Sequence, residues 1–203
     1  NIMNVDVVIC PPFSFIPKIL HTTYSIQVGA QNCSWEQDGP YTGEISPRML
    51  KNLGCSHVIL GHSERKQLGE TLEMVQKKLK AALMAGLIPI VCIGEEVEKE
   101  MEIIFQGIEN WKLKIENLVL VYEPEWAIST QPDARPATPK EVQAALQSMR
   151  ALLPKTSTLL YGGSVKAQDI KEFMEAGAQG VLVGAASLDA QEFIQLAKIS
   201  ISR

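Results

Sequence analysis

The sequence predicts an α/β fold, a parallel sheet covered by helices and read as one domain over residues 1–203. Three observations predict it. Short apolar runs alternate with helical patterns about seven times, the signature of a parallel sheet covered by helices. No linker or shift in composition interrupts that alternation. The residues able to do chemistry (His62, Glu64, Glu95, Glu123, Ser164 and Gly184) all stand where a strand ends. In a barrel that rim carries the active site. An open doubly wound sheet also binds ligands at its strand ends, but no Gly-x-Gly-x-x-Gly follows the first strand.

The elements follow in order. Residues 5–10, closed by Pro11-Pro12, read as a strand buried on both faces. A weak helix over 15–20 and a strand over 25–30 follow. Asp38-Gly39-Pro40 marks a turn in the polar loop 31–42. Ser46 as N-cap and Pro47 in the first turn open a helix that Gly54 closes. The third strand, 56–60, runs into Gly61-His62-Ser63-Glu64-Arg65. Leu72, Val75, Leu79 and Leu83 recur at helical spacing up to Gly86. Residues 88–92 form the fourth strand, with Pro89 tolerated at its start. A helix of low definition covers 99–108, and 118–122 is the fifth strand. Thr138-Pro139-Lys140-Glu141 is a capping box opening a helix to about 153. Residues 158–161 and 180–183 are the sixth and seventh strands, with helices over 166–175 and 190–199.

Composition narrows the function classes. Apolar residues make up 46% and charged residues 21% of the chain, ordinary for a globular domain. A net charge of −4 leaves no basic footprint for nucleic acid. No apolar run approaches the ~18 residues of a membrane span, and no signal peptide is visible. Cys10, Cys33, Cys55 and Cys92 lack metal-ligand spacing. They read as reduced thiols of a cytoplasmic protein at three strand ends and in one loop, with two disulfides as the alternative.

Four constellations carry chemistry. Leu120-Val121-Tyr122-Glu123-Pro124 places a carboxylate at the mouth of a buried strand, before a proline-stiffened loop suited to be a lid. The alternative is a surface acid at an ordinary strand end. Gly162-Gly163-Ser164 and Gly184-Ala185 follow the last two strands, where backbone amides and helix starts suit phosphate. Tight βα turns would explain either motif structurally. His62 before a helix start reads as a neutral imidazole able to donate to a carbonyl, or as a structural histidine. Glu64 and Arg65 read either as functional groups or as a structural ion pair. Trp126 reads as a loop anchor held by burial, and Glu95 as a structural hydrogen-bonding group near the lid.

Six ordered motifs covering nearly the whole chain resemble one family, the triosephosphate isomerases. Tyr122-Glu123-Pro124-Glu125-Trp126-Ala127-Ile128 resembles its base and lid hinge, and Gly61-His62-Ser63-Glu64-Arg65 its electrophilic histidine. Thr42-Gly43-Glu44-Ile45-Ser46, Val91-Cys92-Ile93-Gly94-Glu95, Tyr161-Gly162-Gly163-Ser164-Val165 and Val183-Gly184-Ala185-Ala186-Ser187 complete the set. The resemblance implies a (β/α)8 TIM barrel and a cytoplasmic enzyme of glycolysis and gluconeogenesis. It would interconvert dihydroxyacetone phosphate and D-glyceraldehyde 3-phosphate through an enediolate, with no metal or organic cofactor. Glu123 is implied as base, His62 as the group polarising the carbonyl, and Glu64 as a catalytic residue supporting them from behind. Ser129, Gly163, Ser164, Gly184 and Ala185 would hold the phosphate. Pro124, Trp126, Ala127, Ile128 and Thr130 would belong to the lid. Thr42, Gly43, Glu44 and Arg65 would lie in a homodimer interface, Glu44 pairing with Arg65 across it.

The chain departs from the family at its start. The family opens with a strand carrying Asn-x-Lys, and residues 5–10 match its second strand, so the visible units run from two to eight. The expectation is that the first unit belongs to the protein but is omitted from this sequence. The alternative is an impaired homologue that binds phosphate or partners with little turnover. A barrel isomerase acting on another sugar phosphate is a third reading. The lid also carries extra prolines, Pro132 and Pro136, and Ala185 replaces a common glycine.

Overall fold

The computed structural model describes residues 5–21, 26–113, 117–128, 132–152 and 156–199. Six strands form one curled sheet in chain order: β1 (Val8–Ile9), β2 (Gln27–Ala30), β3 (His57–Leu60), β4 (Ile88–Ile93), β5 (Val119–Tyr122) and β6 (Thr158–Tyr161). Every neighbouring pair is parallel. Parallel neighbours need a crossover, and helices supply it. They are α1 (Ile16–Leu20), α2 (Pro47–Leu53), α3 (Ser63–Gln67), α4 (Leu72–Met84), α5 (Val97–Ile104), α6 (Pro139–Ala151), α7 (Ile170–Glu175) and α8 (Ala190–Ile199).

Local sequence sets most helix ends. Ser46 Oγ accepts from the Met49 amide, and Gly54 closes α2 at φ 109°, a conformation that favours glycine. Thr71 caps α4. Both halves of the Thr138–Glu141 capping box form at α6.

The two faces of the sheet bury two cores. Ile59, Ile90, Cys92 and Val121 point into the barrel. The alternate residues Val58, Leu60, Val91, Ile93, Leu120 and Tyr122 join the larger core beneath the helices. Period-two alternation therefore carries the inward row of β5 from Val121 to Glu123. The candidate base inherits its direction from the pleat.

Four expected elements differ. The strand expected over 5–10 shrinks to Val8–Ile9 and is half-buried rather than buried on both faces; among the described residues it pairs with β2 alone. The strand expected over 180–183 is a single bridge between Tyr161 and Val181. The helix expected over 99–108 is α5 from Val97 to Ile104, and Gly107 at φ 71° then leads into a 3₁₀ turn, Ile108–Trp111. The helix expected over 166–175 starts as a 3₁₀ turn, Ala167–Asp169, before α7. The expected ends at residues 25 and 153 lie outside the described residues.

Candidate active site

Two strand ends bring the central pair together. The Glu123 amide donates to Ile93 O at 2.8 Å, and the Gly162 amide donates to Tyr122 O at 2.8 Å. These bonds extend the ladder past β5 and fix the Glu123 backbone. Its side chain is buried. A buried carboxylate needs donors, and it has them. Ser63 N donates to Oε2 at 2.9 Å, and Ser63 Oγ to Oε1 at 3.3 Å. His62 Nε2 lies 2.9 Å from Oε1. The Cys92 thiol is fully buried on β4; burial first, then the Glu123 charge, pushes it well above its usual range.

His62 is the N-cap of α3, and its Nδ1 accepts from the Glu64 amide at 3.3 Å. The hydrogen-bond pattern puts the proton of the neutral ring on Nε2, facing Glu123. Burial lowers the affinity of this ring for a second proton. The hydrogen bond and charge of Glu123, joined by the charge of Glu64, raise it and win, so His62 titrates above the ordinary 6.5. The direction is opposite to the lowering expected from a helix start, because α3 has only five residues while a buried carboxylate touches the ring. Charged His62 therefore adds stability that is fully present below pH ~6.5 and fades as pH rises through the raised value. In Glu123→Gln the attraction goes and burial remains, so the His62 midpoint is expected to fall. Proton NMR of the imidazole checks this, and an unmoved midpoint would show that Glu123 does not set it.

One buried and one part-buried ion pair support the rim from outside. Glu70 accepts from Lys78 Nζ at 2.5 Å, from Arg65 Nε at 3.3 Å and from the Gly61 amide at 3.2 Å. Lys78 also reaches Asn32 Oδ1 at 2.9 Å. Glu100 accepts from Lys66 Nζ at 2.7 Å and from the Gly94 amide at 2.9 Å. Each carboxylate thus holds the first backbone amide past a strand, β3 in one case and β4 in the other.

The remaining expected residues are placed as follows. Glu64 does not pair with Arg65, and its carboxylate is largely exposed, 3.9 Å from His62 Nδ1; its amide makes the closer contact with the ring. Arg65 is turned to Glu70. Glu95 is exposed and makes no hydrogen bond with another described residue, unlike the structural role expected for it. Trp126 is half-buried, with the Arg135 guanidinium over its ring at 4.0 Å, so stacking rather than full burial anchors it. Pro124 and Ala127 are buried, and Ile128 is half-buried. Gly163 is buried against Tyr161, while Gly184 and Ala185 are exposed. The Ser164 amide donates to Ala127 O at 2.8 Å. Ser129 and Thr130 lie outside the described residues. Thr42, Gly43 and Glu44 are exposed at the tip of loop 31–44. All four cysteines are free thiols; Cys55 precedes β3 rather than ending a strand.

Sequence reasoning missed Ser63, Cys92, Glu70, Lys78 and Arg135. One signal was available. Lys78 sits at helical spacing within the apolar stripe of Val75, Leu79 and Ala82, where a lysine needs a buried partner.

Comparison with known proteins agrees with this arrangement. A family model described as Triosephosphate isomerase matches residues 1–200. The chain is 44% identical to the triosephosphate isomerase of Dictyoglomus turgidum, over 93% of this chain and 83% of that one. It is 41% identical to that of Dehalococcoides mccartyi, over 98% and 84%. With that of Carboxydothermus hydrogenoformans it shares 40%, over 99% and 88%. The curled parallel sheet, the ordered rim motifs and these matches lead to one statement: the chain belongs to the triosephosphate isomerase family.

Proposed function

We propose that this chain interconverts dihydroxyacetone phosphate and D-glyceraldehyde 3-phosphate, with Glu123 as base and His62 as the polarising group. The observation that carries it is the 2.9 Å approach of His62 Nε2 to the buried Glu123 carboxylate at the barrel rim. In the free protein each group satisfies the other. Substrate entering between them takes over both contacts. Glu123 removes a proton from the carbon beside the carbonyl, while Nε2–H donates to the carbonyl oxygen as the enediolate forms. Returning the proton to the neighbouring carbon completes the exchange, with no net gain or loss of atoms. Separating the ring from Glu123 also removes the main attraction that favours its charged form. The imidazole then works neutral, the pairing for which triosephosphate isomerase is itself the standard example.

The phosphate is held by amides of Ser129, Gly163, Ser164, Gly184 and Ala185. The exposed tip of loop 31–44 fits a homodimer contact, with Trp35 and Tyr41 adding exposed aromatic surface. Glu44 then faces the partner, and Arg65 turns between Glu70 and that interface. A cytoplasmic location suits the four free thiols.

A coupled assay tests the activity, reading dihydroxyacetone phosphate as it forms from D-glyceraldehyde 3-phosphate. Turnover that His62→Asn reduces at least about 10²-fold is expected. Tight binding of a phosphorylated enediolate mimic without turnover would instead support the impaired-homologue reading.

A further inference from the structure

Arg135 lies between Pro132 and Pro136 in the loop that follows Glu123. Its backbone amide donates to Trp126 O at 3.0 Å. Its guanidinium carbon sits 4.0 Å from the centre of the Trp126 ring. Nη2 reaches Glu141 Oε1 at 2.6 Å, and Nη1 reaches Oε2 at 3.1 Å. Glu141 is itself fixed, accepting from Thr138 N at 2.8 Å and Thr138 Oγ1 at 2.9 Å. One side chain therefore ties the 3₁₀ turn Glu125–Ala127 to the first turn of α6. The end of that turn is also committed, because Ala127 O accepts the Ser164 amide at 2.8 Å. Ala127 is buried, so water does not compete for the bond. An anion at loop 162–164 that used the Ser164 amide would have to take it from Ala127.

We infer that Arg135 is a positioning residue: it holds the Glu125–Ala127 turn where Ala127 occupies the Ser164 amide, and so weakens phosphate binding at loop 162–164. The inference rests on the reading of that loop as the phosphate site. A ligand that needs the minor arrangement binds with an affinity reduced by the fraction of protein in that arrangement. A stacked guanidinium and one exposed bidentate ion pair bias such an equilibrium by roughly three- to tenfold.

The test titrates inorganic phosphate into the full chain labelled with 5-fluorotryptophan, followed by fluorine NMR. The Trp126 resonance is identified by its loss in Trp126→Phe. Arg135→Ala is expected to bind phosphate roughly three- to tenfold more tightly than the parent. Its phosphate-free Trp126 resonance should already lie toward the bound position. Arg135→Lys, which keeps a cation but loses the fork, should fall between them. Glu141→Gln should shift affinity in the same direction as Arg135→Ala, and thermal melts confirm that each variant is folded. Equal or weaker phosphate binding by Arg135→Ala overturns the inference alone. Binding by neither protein overturns the phosphate-site reading and the inference with it.

Discussion

Replacing Glu123 with aspartate is expected to lower isomerase turnover by roughly 10²- to 10³-fold while the fold persists. The backbone at this position cannot follow a shorter side chain. Its amide is bonded to Ile93 O, and the preceding carbonyl is bonded to Gly162 N. Loss of one methylene withdraws the carboxylate by about 1.5 Å, one carbon–carbon bond. A misplacement of about 1 Å from the reacting carbon is enough to cost about 10²-fold. The carboxylate remains ionisable, and Ser63 remains beside it to donate. A coupled assay run beside a thermal melt separates the two effects. Parent-like turnover in a folded Glu123→Asp variant would show that another group is the base.

Glu70→Ala is expected to destabilise the protein by about 3–5 kcal/mol, because it leaves the buried Lys78 ammonium without its carboxylate. Among the described residues Asn32 alone remains to accept from that nitrogen. In a chain of 203 residues this lowers the melting temperature by about 6–20 °C. Urea unfolding measures the loss directly. The double variant Glu70→Ala/Lys78→Met should lose less than Glu70→Ala, since the uncompensated charge has gone. A single variant as stable as the parent would mean that the ion pair contributes nothing. The same change frees the Gly61 amide, so the approach to His62 should loosen and raise KM as well.

Much of the fold was legible because it is written locally. Ser46 and Pro47, Thr71, and the Thr138–Glu141 box each act on a backbone group within three residues, so sequence order alone locates them. The apolar runs of β3 to β5 matched their strands closely because those strands have a strand on either side. At the two ends of the sheet the same kind of run failed. Residues 5–10 and 180–183 have the composition of strands, but among the described residues they form only a two-residue ladder with β2 and a single bridge to β6.

The sequence by itself determined the family, the order of the rim motifs, and the placing of Glu123 and His62 at strand ends. Those features depend on residue type and spacing along the chain. Only the tertiary structure decided what each group touches. It put Ser63 on a carboxylate sixty positions away and joined Glu70 to Lys78. It turned Arg65 inward, stacked Arg135 on Trp126, and gave the Ser164 amide to Ala127. The contacts of Glu123, Glu70 and Lys78 satisfy charges withdrawn from water, while Arg135 remains exposed. The partner is whichever group the curled sheet brings within about 3 Å, a distance that composition and spacing do not encode.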